Sequence, residues 1–326
     1  MVNIIEKIEQ AGLRGRGGAG FPTATKWQAV KKQELQGKKI YIIANGSEGE
    51  PGVFKDEYIL KKYPTEFIEG IKIALVEFAD SEAVIYLNHT YYDWYAKRLA
   101  SISKGFPINY FRKTARYIAG DETALISHIE GKRDEPRIKP PYPAESGLHG
   151  MPTLVNNIET YYRVFQIAKD QYQNKTFYSI SGSGIKKQVY DFPVDYTIKE
   201  VLVKSGNWPK DDFFIQYGGG AAGSIYLPEE LDNVLPGAAS IIIFNRNKTN
   251  PYKLMRYWAE FYAKENCDKC TPCREGSMRI LEMLKEDRFD RERVKELFLA
   301  MEQSSFCPLG RGMSAPYKSL IEKVIR

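Results

Sequence analysis

The four cysteines of this chain fall in one pattern: Cys267, Cys270 and Cys273 at two-residue gaps, then Cys307 after a longer interval. The first three lie in the run ENCDKCTPCREG and the fourth in SFCPLG, where a proline follows it. Two-residue gaps put three thiolates on one tight turn, and a remote fourth thiolate completes the usual ligand set of a [4Fe–4S] cubane. No cysteine is left over, so the thiols serve a single purpose. Structural zinc fits less well, because it favours two separated C-x-x-C knuckles. Disulfides fit worse, because no secretion signal is present and thiols this close seldom pair within one turn. The chemistry that the spacing points to is electron transfer.

Composition narrows the setting. A chain of 326 residues that is 43% apolar can bury a real core and divide into two or three domains. The start, MVNIIEK, carries charges where a secretion signal needs an apolar core. No stretch approaches the roughly 20 apolar residues of a membrane span, and runs such as Ser240 to Phe244 are strand-sized. A cytoplasmic protein is expected, or a peripheral subunit of a membrane complex, with no direct membrane insertion. The net charge of +6 is scattered over pairs such as Lys31-Lys32, Lys61-Lys62 and Lys186-Lys187. A nucleic-acid partner would require clustering on one face. Anionic ligands are compatible with this charge but not demanded by it.

Elements that could position the cysteines, and any further site, follow from periodicity. A short helix is expected over 3–10, strands over 40–44 and 83–87, and helices over 65–78 and 91–103. A third strand candidate is Ala115 to Ala119, running into a helix at Gly120-Asp121-Glu122. Strands alternating with helices argue for a layered α/β domain with a largely parallel sheet. Prolines at 136, 140, 141 and 143 mark a long loop, and a helix is expected from Val155 to Ala168. Short β-rich runs with a helical piece over 197–204 then suggest a small α+β module between Phe177 and Phe244. From Pro251 onward the pattern is helical, with later helices over 276–285 and 291–304. The cysteines are thereby expected on turns of a C-terminal helical bundle.

Three further segments carry candidate chemistry. Glycines at 12, 15, 17, 18 and 20 flank Arg14 and Arg16, and a helix start with Lys26 follows. Such a loop lets backbone N–H groups approach a phosphate, although glycine-rich stretches are often plain loops. It is not the dinucleotide fingerprint, since the glycines are differently spaced. The run Asn45 to Gly52 (NGSEGEPG) follows a strand candidate, where open α/β sheets bind ligands, and offers Glu48 and Glu50. A solvated acidic loop is the plain alternative. Gly120-Asp121-Glu122 repeats the arrangement, and would otherwise be an ordinary acidic first turn. Asn156 and Asn157 either cap a helix or touch a ligand. His89, His128 and His149 show no metal spacing.

Taken in order, GLRGRGGAGFPT (12–23), NGSEGEPGVFKD (45–56), YIAGDET (117–123), PPYPAESGLHGMPTLVNNIET (140–160) and the cysteine run resemble one family. The chain resembles the NADH-binding flavoprotein (F) subunit of respiratory complex I. Related subunits occur in NAD-linked hydrogenases, formate dehydrogenases and electron-bifurcating complexes. The resemblance spans essentially the whole chain. It implies a Rossmann-like parallel-sheet flavin domain (1–172), a β-grasp module of the SLBB, ubiquitin-like type (173–246) and a helical bundle holding the [4Fe–4S] cluster (247–326). The implied activity is that of an NADH dehydrogenase (diaphorase-type) subunit, passing hydride between NADH and FMN and then single electrons through the cluster.

Carried over by position, Gly15, Arg16, Gly17, Gly18 and Lys26 would hold FMN, with Asn45, Tyr117, Gly120, Asn156 and Asn157 completing its site. Glu48 and Glu50 would face the nicotinamide and ribose of NADH, Phe21 and Tyr142 would flank the adenine, and Asp121 and Glu122 would lie near nicotinamide and flavin. Cys267, Cys270, Cys273 and Cys307 would be the cluster ligands. Hydride transfer needs alignment rather than proton abstraction, so the resemblance implies positioning residues and no catalytic acid or base. Implied partners are a [2Fe–2S] thioredoxin-like (E-type) subunit and a larger iron–sulfur or catalytic subunit, in a hetero-oligomer. The chain departs from the family pattern at Ser47, where Asp is usual, at Asp121, where Glu is usual, and at Ala29, often aromatic. These departures leave open a second reading, an FMN/[4Fe–4S] relay with lost or altered pyridine-nucleotide binding.

Overall fold

A computed structural model of the chain describes residues 3–113, 116–235 and 237–325. Two units follow from it: residues 1–49 with 54–175, and residues 50–53 with 176–326. In the first unit, α1 (Ile4–Gln10) is started by Asn3, whose side chain accepts from the Ile5 amide at 2.8 Å. The glycine loop leads into α2 (Thr23–Glu34), then β1 (Ile40–Gly46), α3 (Lys55–Lys62), α4 (Pro64–Glu77), β2 (Ser81–Asn88), α5 (His89–Ile102) and β3 (Ile108–Lys113). After α6 (Glu122–Ile129) come β4 (Thr153–Asn157) and α7 (Ile158–Ala168).

The four strands form one sheet in the order β3-β2-β1-β4, with every pairing parallel. β1 and β2 are nearly continuous apolar runs because a parallel sheet is covered on both faces. Ile43, Val84, Tyr86 and Val155 meet Leu125 and Ile126 of α6 in one core cluster, while α4 and α7 pack against β1. The parallel register brings all carboxyl ends to one edge: Asn45 and Gly46, Asn88, Lys113, and Asn156 and Asn157.

Two expectations fail here. The helix expected from Val155 begins only at Ile158; Thr153 to Asn157 form β4, paired with Tyr41 to Asn45. Apolar periodicity alone does not divide a buried strand from the helix that follows it. The third strand is Ile108–Lys113 and not 115–119, since Tyr117–Gly120 is a 3₁₀ turn and Ala115 lies outside the described residues. β3 is an edge strand with only Lys113 buried, so it carries no continuous apolar signal.

The second unit opens with β5 (Lys175–Gly182), β6 (Ile185–Pro193), α8 (Ile198–Lys204), β7 (Phe213–Tyr217), β8 (Ser224–Tyr226) and β9 (Ser240–Asn245), in sheet order β6-β5-β9-β7-β8. As expected for a β-grasp, one helix covers a sheet face: Ile198, Val201 and Leu202 of α8 pack with Ile180, Ile215 and Ile241. A capping box between Thr197 and Glu200 fixes its start. Helices α9 (Pro251–Glu265), α10 (Thr271–Lys285), α11 (Arg291–Ser304), α12 (Pro308–Gly312) and α13 (Ser314–Leu320) follow. Phe214 and Ile225 share a core with Trp258, Tyr262, Phe298 and Tyr317 of this bundle. α10 starts earlier than expected, at Thr271, so Cys273 sits in a first helical turn; Pro272 suits that position because its missing N–H would have no partner there. Among the described residues no helix is long and apolar enough to cross a membrane.

α4 approaches α7 so closely that a Cβ on Gly70 would lie 2.0 Å from the Tyr161 carbonyl oxygen, a backbone atom that cannot step aside. Gly70→Ala is therefore expected to destabilise the first unit by about 2–3 kcal/mol through overpacking, despite alanine's better helix propensity. Chemical denaturation measures this; an unchanged or raised midpoint would contradict the packing described.

Candidate cofactor sites

The glycine loop is held by its own backbone and by α7. Gly15 N–H donates to the Phe21 carbonyl (2.8 Å), Thr23 N–H to the Leu13 carbonyl (2.9 Å) and Arg16 N–H to Thr160 Oγ1 (3.0 Å). Gly18 and Gly20 adopt positive φ, 104° and 62°, which closes the loop without Cβ strain. Arg16 Nη2 reaches Asn174 Oδ1 (3.2 Å) and Tyr172 Oη (3.5 Å), both neutral, so its charge is not cancelled by them. Arg16 Nε and Thr23 Oγ1 are buried without a hydrogen-bond partner among the described residues. α2 starts at Pro22 with no side-chain cap and no acidic residue in its first turn. An unmatched guanidinium edge and an unmatched hydroxyl around one glycine loop, beside a helix start without an acidic cap, fit a phosphate-bearing cofactor such as FMN.

Beside this loop, the carboxyl edge of the sheet is a dense polar network. Asn157 accepts from Lys55 Nζ (2.8 Å) and the Glu159 amide (3.0 Å), and donates to the Asn45 carbonyl (3.2 Å) and Asp56 Oδ2 (2.7 Å). Two donors and two acceptors are all used, so its side chain braces the edge instead of reaching a ligand. Asn156, oriented by its hydrogen bonds, accepts from Trp27 Nε1 (3.0 Å) and donates to the Val155 carbonyl (3.2 Å). Asn45 Nδ2 donates to the Gly120 carbonyl at 3.0 Å. Asp121 caps α6, accepting from the amides of Thr123 (2.8 Å) and Ala124 (3.1 Å). Glu122 lies between Lys26 (2.6 Å) and Lys139 (3.1 Å); burial opposes its charge, but the two ammonium groups outweigh that and hold its carboxyl below the usual range.

Glu48 accepts from the amides of Asp56 (3.0 Å) and Glu57 (3.3 Å) at the start of α3 and from Tyr91 Oη (2.8 Å). Although part of its surface remains accessible, its carboxyl is pushed up to about 7, by burial first and by the neighbouring Asp56 charge second, with Lys55 and the donors opposing. Phe21 and Tyr142 are 51% and 56% exposed, so both rings are accessible to a planar ligand. Tyr117 opens the 3₁₀ turn that ends at Gly120. Glu50 belongs to the second unit, where its Oε1 accepts from the amides of Ala221 (2.8 Å) and Ala222 (3.2 Å).

The four thiols meet in the second unit. Cys267, Cys270, Cys273 and Cys307 line one pocket with Asn266, Ser305 and Gly310, of about 240 Å³ including space open to solvent. Cys270 and Cys307 stand at the N-cap positions of α10 and α12, neither making a side-chain capping bond. Only Cys270 is partly exposed, and its Sγ accepts the Phe306 amide at 3.3 Å. The Cys273 thiol is pushed up to about 12 by burial and then by the other three cysteines. A buried thiol whose ionisation is opposed in this way, beside three further thiols, fits a cationic iron core, which would take the four as thiolates. No three His, Cys, Asp or Glu among the described residues are arranged to hold a single metal ion; what the thiols share is a wider pocket.

Several residues around these sites escape sequence reading. Lys113 is 2% exposed and donates to the Ser47 carbonyl at 3.2 Å, yet in sequence it is an ordinary end of an edge strand. Tyr262 of α9 is fully buried with no partner for its hydroxyl among the described residues, and its ionisation is strongly opposed by burial, then by Glu50 and Cys273. Lys55 and Asp56 lie inside a recognised motif but carry no signal of their burial.

Residues 8–166 match the Nuo51 FMN-binding domain, and residues 253–324 match the NADH-ubiquinone oxidoreductase-F iron-sulfur binding region. The F subunit of the NADH-quinone oxidoreductase of Streptomyces coelicolor is 31% identical, over 98% of this chain and 81% of the relative. That of Aquifex aeolicus is 35% identical, over 84% and 71%. Among solved structures, an NAD+-reducing [NiFe]-hydrogenase in the H2-reduced state superposes with a TM-score of 0.88 at 30% identity; the match covers 98% of this chain and 61% of the hydrogenase chain.

The raised Glu48 carboxyl has a sign. Folding favours its protonated form, so the stability it contributes is complete below about pH 4.5 and is lost as pH rises towards about 7. Glu48→Gln, which cannot ionise, should remove on the order of 2 kcal/mol of this pH dependence. Thermal unfolding of both proteins between pH 4.5 and 7.5 reads it; parallel profiles would refute the burial of that carboxylate.

Proposed function

This chain belongs to the family of NADH-quinone oxidoreductase F subunits, and from that premise we propose that it takes hydride from NADH and releases single electrons to iron–sulfur partners. When bound, FMN supplies the hydride chemistry and the [4Fe–4S] cluster the one-electron step. The residues of the chain bind, orient and exclude water. The amides of Gly17 and Gly18, the Arg16 guanidinium and the Thr23 hydroxyl at the start of α2 would hold the FMN phosphate, on a loop shaped by the Gly15 backbone. Lys26, set by Glu122, would face the flavin with Asn45, Tyr117 and Gly120, while Asn156 and Asn157 keep that edge in shape. Glu48 and Glu50 would position nicotinamide and ribose, and Phe21 and Tyr142 would flank the adenine. Asp121 would bear on the nicotinamide through the turn it caps. Cys267, Cys270, Cys273 and Cys307 would ligate the cluster.

The observation that carries this reading is the Arg16 and Thr23 pair of unmatched polar atoms around the glycine loop, in the segment that matches the FMN domain. All four cysteines line one pocket, so a second cluster would have to come from another subunit. We therefore place a [2Fe–2S] E-type subunit and a larger iron–sulfur or catalytic subunit beside it, in a cytoplasmic assembly or the peripheral arm of a membrane complex. Three functional modules, 1–172, 173–246 and 247–326, remain the proposed division. The second reading, a relay without pyridine nucleotide, draws on Asp121, whose carboxylate is engaged in capping α6.

Anaerobic addition of NADH to the reconstituted chain is expected to bleach the flavin absorbance. Glu50→Gln should weaken NADH binding by about tenfold or more, the loss of a charge-assisted contact, with flavin content unchanged. No bleaching would favour the relay, and unchanged binding would remove Glu50 from the nucleotide site.

A further inference from the structure

We infer that the Ser305 hydroxyl donates a hydrogen bond to the iron–sulfur cluster and thereby raises its reduction potential; the inference rests on the cluster reading of the four thiols given above. Ser305 is 2% exposed, and its Oγ has no hydrogen-bond partner among the described residues. Buried hydroxyls are rarely left so, and each exception asks for an absent partner. The residue lines the same pocket as the four cysteines. A Cβ built on Gly310 would lie 2.5 Å from Ser305 Oγ and 3.1 Å from Cys273 Cβ, so hydroxyl, glycine and ligand meet at one wall.

The usual use of such a serine is ruled out by comparison within the chain. Serine hydroxyls on helices turn back to carbonyls three or four residues earlier, as Ser277 does to Arg274 (3.1 Å) and Ser319 to Ala315 (2.8 Å). Ser305, the residue that follows α11, does not. Its backbone is fixed on both sides: its N–H donates to the Met301 carbonyl (2.9 Å), and its carbonyl accepts from Arg311 Nε (2.8 Å). The hydroxyl is held in place with one proton to give, and sulfur is the acceptor that four thiolates and a cluster would bring to that wall. A donor to cluster or ligand sulfur stabilises the more negative, reduced state. The adjacent Phe306 amide already donates to Cys270 Sγ.

The test is Ser305→Ala in the full chain, with Ser305→Gly as a second way of removing the hydroxyl. Iron and sulfide content should match the parent, while an EPR-monitored redox titration should move the midpoint to more negative potential. At a fixed poise the ratio of reduced to oxidised cluster should fall about fivefold, the weight of one hydrogen bond. In deuterated buffer, pulsed EPR of the reduced cluster should lose one exchangeable-proton coupling in the variants. A loaded cluster with parental potential and couplings would overturn the inference. So would loss of the cluster in both variants, which would make the hydroxyl a structural element. Absence of iron and sulfide from the parent itself would instead sink the cluster reading.

Discussion

Lys55 carries its ammonium group into the interior of the first unit, where only 7% of its side chain meets solvent, and its partners are fixed by that fact. Asp56 lies 2.7 Å away, Asn157 Oδ1 2.8 Å and Glu159 Oε2 3.4 Å. Burial alone would strip the charge, but Asp56, Glu159 and Glu48 outweigh it and raise the lysine's proton affinity. Removing one member would leave the others charged and unpaired, which is the costly way to break such a set. Through this network α3 is joined to the junction of β4 and α7. Arg163 extends it one helical turn along α7, 3.4 Å from Glu159.

The geometry of the candidate flavin edge follows from that anchor. Asn157, held on all four hydrogen-bonding positions, ties the ends of β1 and β4 together, and a Cβ on Gly17 would already touch its Cβ at 3.4 Å. Asp56 presents its amide to Glu48 and its carboxylate to Asn157, so the acid proposed to face the nucleotide and an edge-bracing amide are set by one residue. The thiol pocket is built on the opposite principle. There the ionisation of Cys273 is opposed by burial and by the other three cysteines, and the pocket is completed by what it binds, whereas the Lys55 network sets charge against opposite charge.

Much of this is legible in the chain. The cysteine spacing, the glycine loop and the acidic turn after β1 each carry their chemistry in residue type and interval. Strands β1 and β2 stand out because burial on both faces makes their central residues a continuous apolar run. β3 does not, because an edge strand half in water has no such run, and β4 is hidden because its apolar residues merge with those of α7. The double duty of Asn157, the capping role of Asp121 and the burial of Lys113 leave no local trace. Each depends on a contact between segments or backbone groups that residue type alone does not specify.

By itself, the sequence determined the cofactor classes, since glycine without Cβ and thiols at two-residue gaps are local requirements of a phosphate and of an iron–sulfur core. Only the tertiary structure decided which polar side chains remain open to a ligand. Asn156, Asn157 and Asp121 look like binding residues in the motif and are engaged by the protein, whereas Arg16 Nε, Thr23 Oγ1 and Ser305 Oγ are left unmatched among the described residues. A hydrogen-bonding group has few valences, and which of them the fold consumes is set by neighbours that the linear chain does not reveal.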